Sequence, residues 1–180
     1  DDGHCVSQLK RPLKEKGINV FIRYNQAINI LHKVKNFNEP SFADLISSAK
    51  PFGLRTFFKG NNKPYKDKND NVMLYQNGGI GYISRSDIPK GAEWILKHKV
   101  FISYAYGMGT TEPYQVINTP FYGEPNSICT ETYLLIGPFK NREICENVIS
   151  YMKTKFFRFL IVLIKNTQHR TQKVYQLVPM

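Results

Sequence analysis

Cysteine is scarce in this sequence, and what there is forms no pattern. The 180 residues contain three, Cys5, Cys129 and Cys145. An odd number with no close pair argues against a disulfide framework and points to a cytosolic setting. No C-x-x-C pair occurs, so a structural zinc site lacks its usual nucleus. Long apolar runs are also missing. The greasiest stretch, Phe156 to Ile164, is interrupted by Arg158 and falls far short of the ~20 residues that cross a bilayer. The polar, acidic N-terminus has no signal-peptide core. Neither a membrane span nor a membrane partner is expected.

Acidic residues are thin on the ground, 14 against 25 Lys and Arg. A magnesium-dependent nuclease needs two or three converging carboxylates with a lysine nearby. Asp67, Asp70, Asp87, Glu93, Glu112, Glu124 and Glu131 do not build that pattern on any expected strand pair. His4, His32, His98 and His169 are scattered, with His32 and His98 expected on helix surfaces. Ser103 and Cys129 have no activating base signalled in the sequence. Gly78, Gly79 and Gly81 do not form a strand–G-x-G-x-x-G–helix unit, and Gly107 and Gly109 lack a third glycine. Asn38-Glu39-Pro40-Ser41-Phe42 is the nearest approach to the polar–Pro–Pro–aromatic turn of adenine methyltransferases, and it lacks the second proline. No metal, cofactor or catalytic centre is read from these residues.

What is present is a core and a strong positive charge. Hydrophobic residues make up 42%, aromatics 13%, and the net charge is +11. Such a balance attracts polyanions, with nucleic acid the first candidate and an anionic membrane surface the second. Apolar spacing predicts a helix over 23–35, with Tyr24, Ile28, Leu31 and Lys35 on one stripe and Ala27, Ile30 and Val34 beside it. A short helix is expected from Ser41 and a strand near Leu54–Phe58, followed by an exposed loop. VMLYQ and IGYIS flank Asn77-Gly78-Gly79, a hairpin signal. Helical turns are expected around Trp94, and buried strands at Val100–Tyr106 and Thr132–Pro138. A short strand is expected within VINTPFYG. Asn141 should cap a helix carrying Ile144, Val148, Met152, Phe156, Phe159 and Leu163, with a break near Thr154. The fold class is α+β, a mixed twisted β-sheet with flanking helices.

Three segments interleave cations with amides and aromatics, the chemistry that neutralises phosphates and reads base edges. The first is Arg55, Lys59, Asn61, Asn62, Lys63, Tyr65, Lys66 and Lys68, where Gly53 and Gly60 permit close backbone approach. The second is Tyr82, Ser84, Arg85 and Lys90. The third, residues 165–173, carries Lys165, Asn166, Gln168, Arg170, Gln172 and Lys173. Arg55, Asn61, Asn62, Arg85, Gln168 and Arg170 are the candidates to read or flank bases.

Six blocks in order, FIRYNQAINIL, PFGLRTFFKG, LYQNGGIGYISRSDI, EWILKHKVFIS, EPNSICTETYLLIGPF and the stretch from Tyr151 to Met180, resemble the C-terminal part of adenine-specific DNA methyltransferases of bacterial type II restriction–modification systems. That part is a TaqI-like specificity domain, similar in layout to target-recognition domains of type I specificity subunits. The resemblance runs from about Val20 to the end. It implies that 20–180 is a target-recognition domain and that 1–19 is the trailing end of a methyltransferase domain or a linker, the chain being a fragment of a longer polypeptide. It also implies double-stranded DNA as partner. S-adenosylmethionine would be the cofactor of the separate N-terminal domain that flips out and methylates adenine. A nuclease fragment of a restriction enzyme and a subunit-docking module are the alternatives.

Overall fold

The structure is a computed structural model that describes residues 7–18, 20–67, 70–105, 116–164 and 171–180. Helix and sheet are mixed, and the strands divide into two three-stranded sheets. In one, β1 (Asn71–Gln76) pairs antiparallel with β2 (Gly79–Ser84) and parallel with β5 (Ser127–Cys129). In the other, β3 (His98–Ser103) lies between β4 (Phe121–Gly123) and β6 (Tyr133–Phe139), antiparallel to both. The helices are α1 (Ile28–Asn36), α2 (Ala92–Ile95), α3 (Arg142–Lys153) and α4 (Lys155–Ile164).

The β3–β6 pair divides the interior. Successive strand residues point to opposite faces, and here both faces are covered. Val100, Ile102, Leu134 and Ile136 join the larger core with α1, α3 and α4. Phe101 and Leu135 face the smaller core, with Val72, Leu74, Ile83 and Ile128 of the other sheet and Phe52, Leu54 and Ile95. Burial on two sides explains why VFIS and YLLIG read as unbroken apolar runs. Lys99 interrupts this pattern yet is fully buried. Its ammonium donates to the carbonyls of Lys97 (2.9 Å), Glu124 (3.0 Å) and Ile95 (3.4 Å), which lie at the end of α2 and in the turn after β4; the Ile95 carbonyl also accepts from the Asn126 amide and the Glu124 carbonyl from the Ser127 hydroxyl.

The helix starts obey local capping chemistry. Asn141 accepts from the Ile144 amide at 3.0 Å and opens α3. Thr154 takes extended backbone angles, ends α3, and accepts from the Phe157 amide at 3.1 Å to start α4. The expected break therefore falls on a residue that serves both ends. Ser41 caps a 3-10 turn, Phe42–Leu45, rather than an α-helix. Among the described residues no helix is long and apolar enough to cross a membrane.

Several expectations change. The helix over 23–35 begins as a 3-10 turn, Asn25–Ala27, before α1. Its inward stripe is Ala27, Ile28 and Leu31, while Tyr24 and Ile30 are largely exposed. Leu54–Phe58 is a turn and not a strand. Phe58 donates its amide to the Arg55 carbonyl at 3.0 Å, and the Glu131 amide donates to the Leu54 carbonyl at 2.8 Å. With only Leu54 buried and Phe57 out in solvent, no sheet edge draws the segment straight. β5 was not foreseen; three residues paired in parallel give too short a pattern to read. His98 opens β3 instead of lying on a helix; its Nδ1 pairs with the Tyr122 hydroxyl at 2.6 Å. His32 does lie on α1, against Glu15 at 3.1 Å. Residues 7–18 lie against this part of the molecule, with Ile18 in the larger core and Arg11 donating to Asn25 and the Ile22 carbonyl.

Candidate nucleic-acid interface

The β2–β1–β5 sheet and the segment along its edge carry most of the cation-and-amide positions. Its hairpin turns at Asn77-Gly78, where Gly78 takes a φ of 88°, a conformation glycine adopts without steric cost. Along the outer edge of β2 runs the segment from Lys59. Asn61 exchanges two backbone hydrogen bonds with Tyr82, at 2.8 and 2.9 Å. Lys59 donates to the Asn77 carbonyl of the hairpin turn. The Gly60 amide donates to the side-chain oxygen of buried Gln76 at 2.8 Å. The Tyr65 amide donates to the Asn71 side chain at 3.2 Å. The loop is thus sewn to both strands of the hairpin, while Asn61, Asn62, Lys63 and Lys66 remain exposed.

Close approach makes this possible. A β-carbon on Gly60 would stand 2.6 Å from the Tyr82 carbonyl oxygen and 2.9 Å from its nitrogen. Gly60→Val is therefore expected to prise the strap from β2, at a cost of roughly 1–3 kcal/mol. In hydrogen exchange the Tyr82 amide should lose protection while the β3 amides keep theirs. Equal protection at Tyr82 in both proteins would show that the strap does not depend on this contact.

Besides Lys59, two further cations at this sheet are already engaged. Arg55 is exposed and forms a 3.6 Å ion pair with Glu131. Arg85 is half-buried and donates to the Asn126 side chain at 2.7 Å; Asn126 in turn donates to the Asn71 carbonyl at 2.6 Å. Asp70 accepts from the Ser84 hydroxyl and, at 2.9 Å, from the Arg85 amide. Ser84 is thereby buried and occupied, while Tyr82 is half-buried and Lys90 exposed.

Lys173 stands apart from these residues. It is exposed on the 3-10 turn Gln172–Tyr175, which is built on the larger core through Val174 and Tyr175. Gln172 is spent on the Ile46 carbonyl at 2.6 Å. Lys68, Lys165, Asn166, Gln168, Arg170, Gly107 and Gly109 lie outside the described residues.

Sequence reading missed Gln76 and Asn126, which hold this surface together. Asn126 left a usable signal: it follows Pro125 in a turn and takes a φ of 66°, a conformation asparagine tolerates better than most residues. Gln76 left none, because a glutamine at a strand end ordinarily faces water. Cys129 and Cys145 are buried free thiols. Burial pushes Cys129 far above its ordinary range and Cys145 up to about 11, so neither presents a thiolate nucleophile at neutral pH. Among the described residues no three of His, Cys, Asp and Glu gather as a metal site. No protein-family model matches the sequence, and no curated protein is significantly similar to it.

Proposed function

We propose that this chain is a double-stranded DNA recognition module of a bacterial, cytoplasmic restriction–modification adenine methyltransferase. S-adenosylmethionine binding and methyl transfer belong, in this reading, to a separate N-terminal domain. The observation that carries it is the strap from Lys59 to Lys66, fastened to the hairpin by the Asn61–Tyr82 backbone pair and by bonds to Gln76, Asn71 and Asn77, while the Asn61, Asn62, Lys63 and Lys66 side chains are exposed. Rigid backbone anchoring presents these groups with less ordering cost than a free loop would. Lys59, Lys63 and Lys66 would hold phosphates; Asn61, Asn62 and Arg55 would lie at base edges. Arg85 would support the strand end beside them, and Lys173 with residues 165–170 would add a second backbone contact. The net charge of +11 supplies the long-range attraction.

The test is the salt dependence of duplex binding. Roughly six phosphate contacts imply a log–log slope of about −5, a loss near 10³ in affinity between 50 and 200 mM salt. Fluorescence anisotropy with a labelled duplex measures it. An affinity that stays flat across that range removes the reading.

A further inference from the structure

Residues 7–25 build a corner whose exposed large side chains are mostly cationic or apolar. Arg11 ties it together. Its guanidinium donates to the Asn25 side chain at 3.0 Å and to the Ile22 carbonyl, lies 5.0 Å from the centre of the Phe21 ring, and pairs with Glu15 at 3.3 Å. Asn25 also donates to the Ser7 hydroxyl at 3.1 Å. The chain bends between Arg11 and Glu15, and Leu13 stands at that bend, 73% exposed. Leu9, Phe21 and Tyr24 are half-exposed on the same framework. Lys10, Lys14, Lys16 and Arg23 are exposed among them. Glu15, the one acid among the described residues of this corner, is buried against Arg11 and His32. Every exposed acidic or basic group described here is therefore a cation.

In sequence, Leu9 and Leu13 lie in a polar stretch of mixed charge; the inward turn of Glu15 leaves that stretch uniformly cationic at its surface. Lysines and aliphatic side chains on one projecting bend are complementary to an anionic bilayer. Lipid phosphates meet the lysines, and the boundary between headgroups and acyl chains takes the leucines and aromatic rings. A nucleic acid supplies the phosphates but gives exposed leucines little to bury against. A second copy of this chain brings the same positive charge, within a total of +11. A rigid protein partner would need an acidic pocket shaped to Leu13, whereas a fluid bilayer yields around it. We propose that this corner is a peripheral binding site for anionic membrane surfaces: Leu9 and Leu13 enter at headgroup level, and Lys10, Lys14 and Lys16 meet lipid phosphates. The site stands or falls independently of the duplex reading.

The full 180-residue chain is sedimented with vesicles of phosphatidylcholine alone and of phosphatidylcholine with roughly 30% phosphatidylglycerol. The wild-type protein is expected to partition onto the anionic vesicles about ten-fold better. Leu9→Ser combined with Leu13→Ser should cost about ten-fold on those vesicles, and Lys10→Gln combined with Lys14→Gln a similar factor. All four side chains are exposed, so both variants fold, as the urea midpoint checks. Leu13→Trp places a reporter at the bend. Its emission should move to the blue on anionic vesicles, beyond any change at Trp94 in the wild type. Equal binding to the two kinds of vesicle overturns the site. Undiminished binding of the double leucine variant overturns it as well, since net charge alone would then account for adhesion. Self-association that the leucine variant abolishes, with no vesicle binding, assigns the face to a second copy and overturns the membrane assignment.

Discussion

Phe157→Ala is expected to lower the free energy of unfolding by about 3–5 kcal/mol, the range for deleting a buried phenylalanine. Phe157 sits where four aromatic rings converge. Its centroid is 5.0 Å from Phe42 at 87° and 5.2 Å from Tyr151 at 84°, both edge-to-face, and 6.2 Å from Tyr175. Such edge contacts add roughly 0.5–1.5 kcal/mol beyond area burial. Phe42 belongs to the turn after α1, Tyr151 to α3, and Tyr175 to the C-terminal 3-10 turn. One truncation therefore loosens three segments far apart in sequence. The cavity cannot close easily, because Phe42 and Tyr175 are themselves fully buried in a backbone framework. The shift should appear in the urea midpoint. Phe57→Ala provides the contrast: the same substitution on an exposed turn should change stability by less than about 0.5 kcal/mol. A loss under about 1 kcal/mol at Phe157 would show that the ring cluster does not hold the larger core together.

Stability should peak near pH 9 and then fall. Three buried groups set this behaviour. Desolvation lowers Lys99 from 10.5 to about 8, so between those values the unfolded chain holds a proton that the fold does not. That difference raises stability with pH. Desolvation raises Cys145 from 9.0 to about 11 and Cys129 still further. Above pH 9 the fold keeps two thiol protons that the unfolded chain has released, and this lowers stability with pH. Between 9 and 10.5 the balance is one proton in favour of the fold, a decline of about 1.4 kcal/mol per pH unit. Above 10.5 the lysine no longer opposes the decline. Tyr75, raised by burial and then by its bond to Glu124, steepens it further. Urea titrations at several pH values measure the slope. Cys129→Ala should flatten it between 9 and 10.5 by about 1.4 kcal/mol per unit. An unchanged slope in that variant would mean the thiol does not stay protonated in the fold.

Much of the candidate surface could be named from the sequence, because its residues are consecutive. Lys59 to Lys66 lie in one loop, and Asn77-Gly78 marks the hairpin beside it. The attachment could not be named. Gly60 passes against Tyr82, the Lys59 ammonium reaches Asn77, and Gln76 turns inward to meet the Gly60 amide. Those contacts join residues 16 to 22 positions apart, and no periodicity records them. Phe57 shows the same limit from the other side. Within a run of apolar residues it reads as part of a strand, and only the turn at Arg55–Phe58 puts it in water.

Local chemistry alone determined the elements whose signals are self-contained. The Asn141 cap, the break at Thr154, the Asn-Gly hairpin and the apolar strands at β3 and β6 all follow from hydrogen bonds and spacings within a few residues. Tertiary structure alone decided that the strands form two sheets, that β3 and β6 carry a core on each face, and that Lys99 is buried beneath three carbonyls. The physical reason is that these outcomes depend on which distant surfaces exclude water from one another. A side chain's own neighbours in sequence carry no record of that.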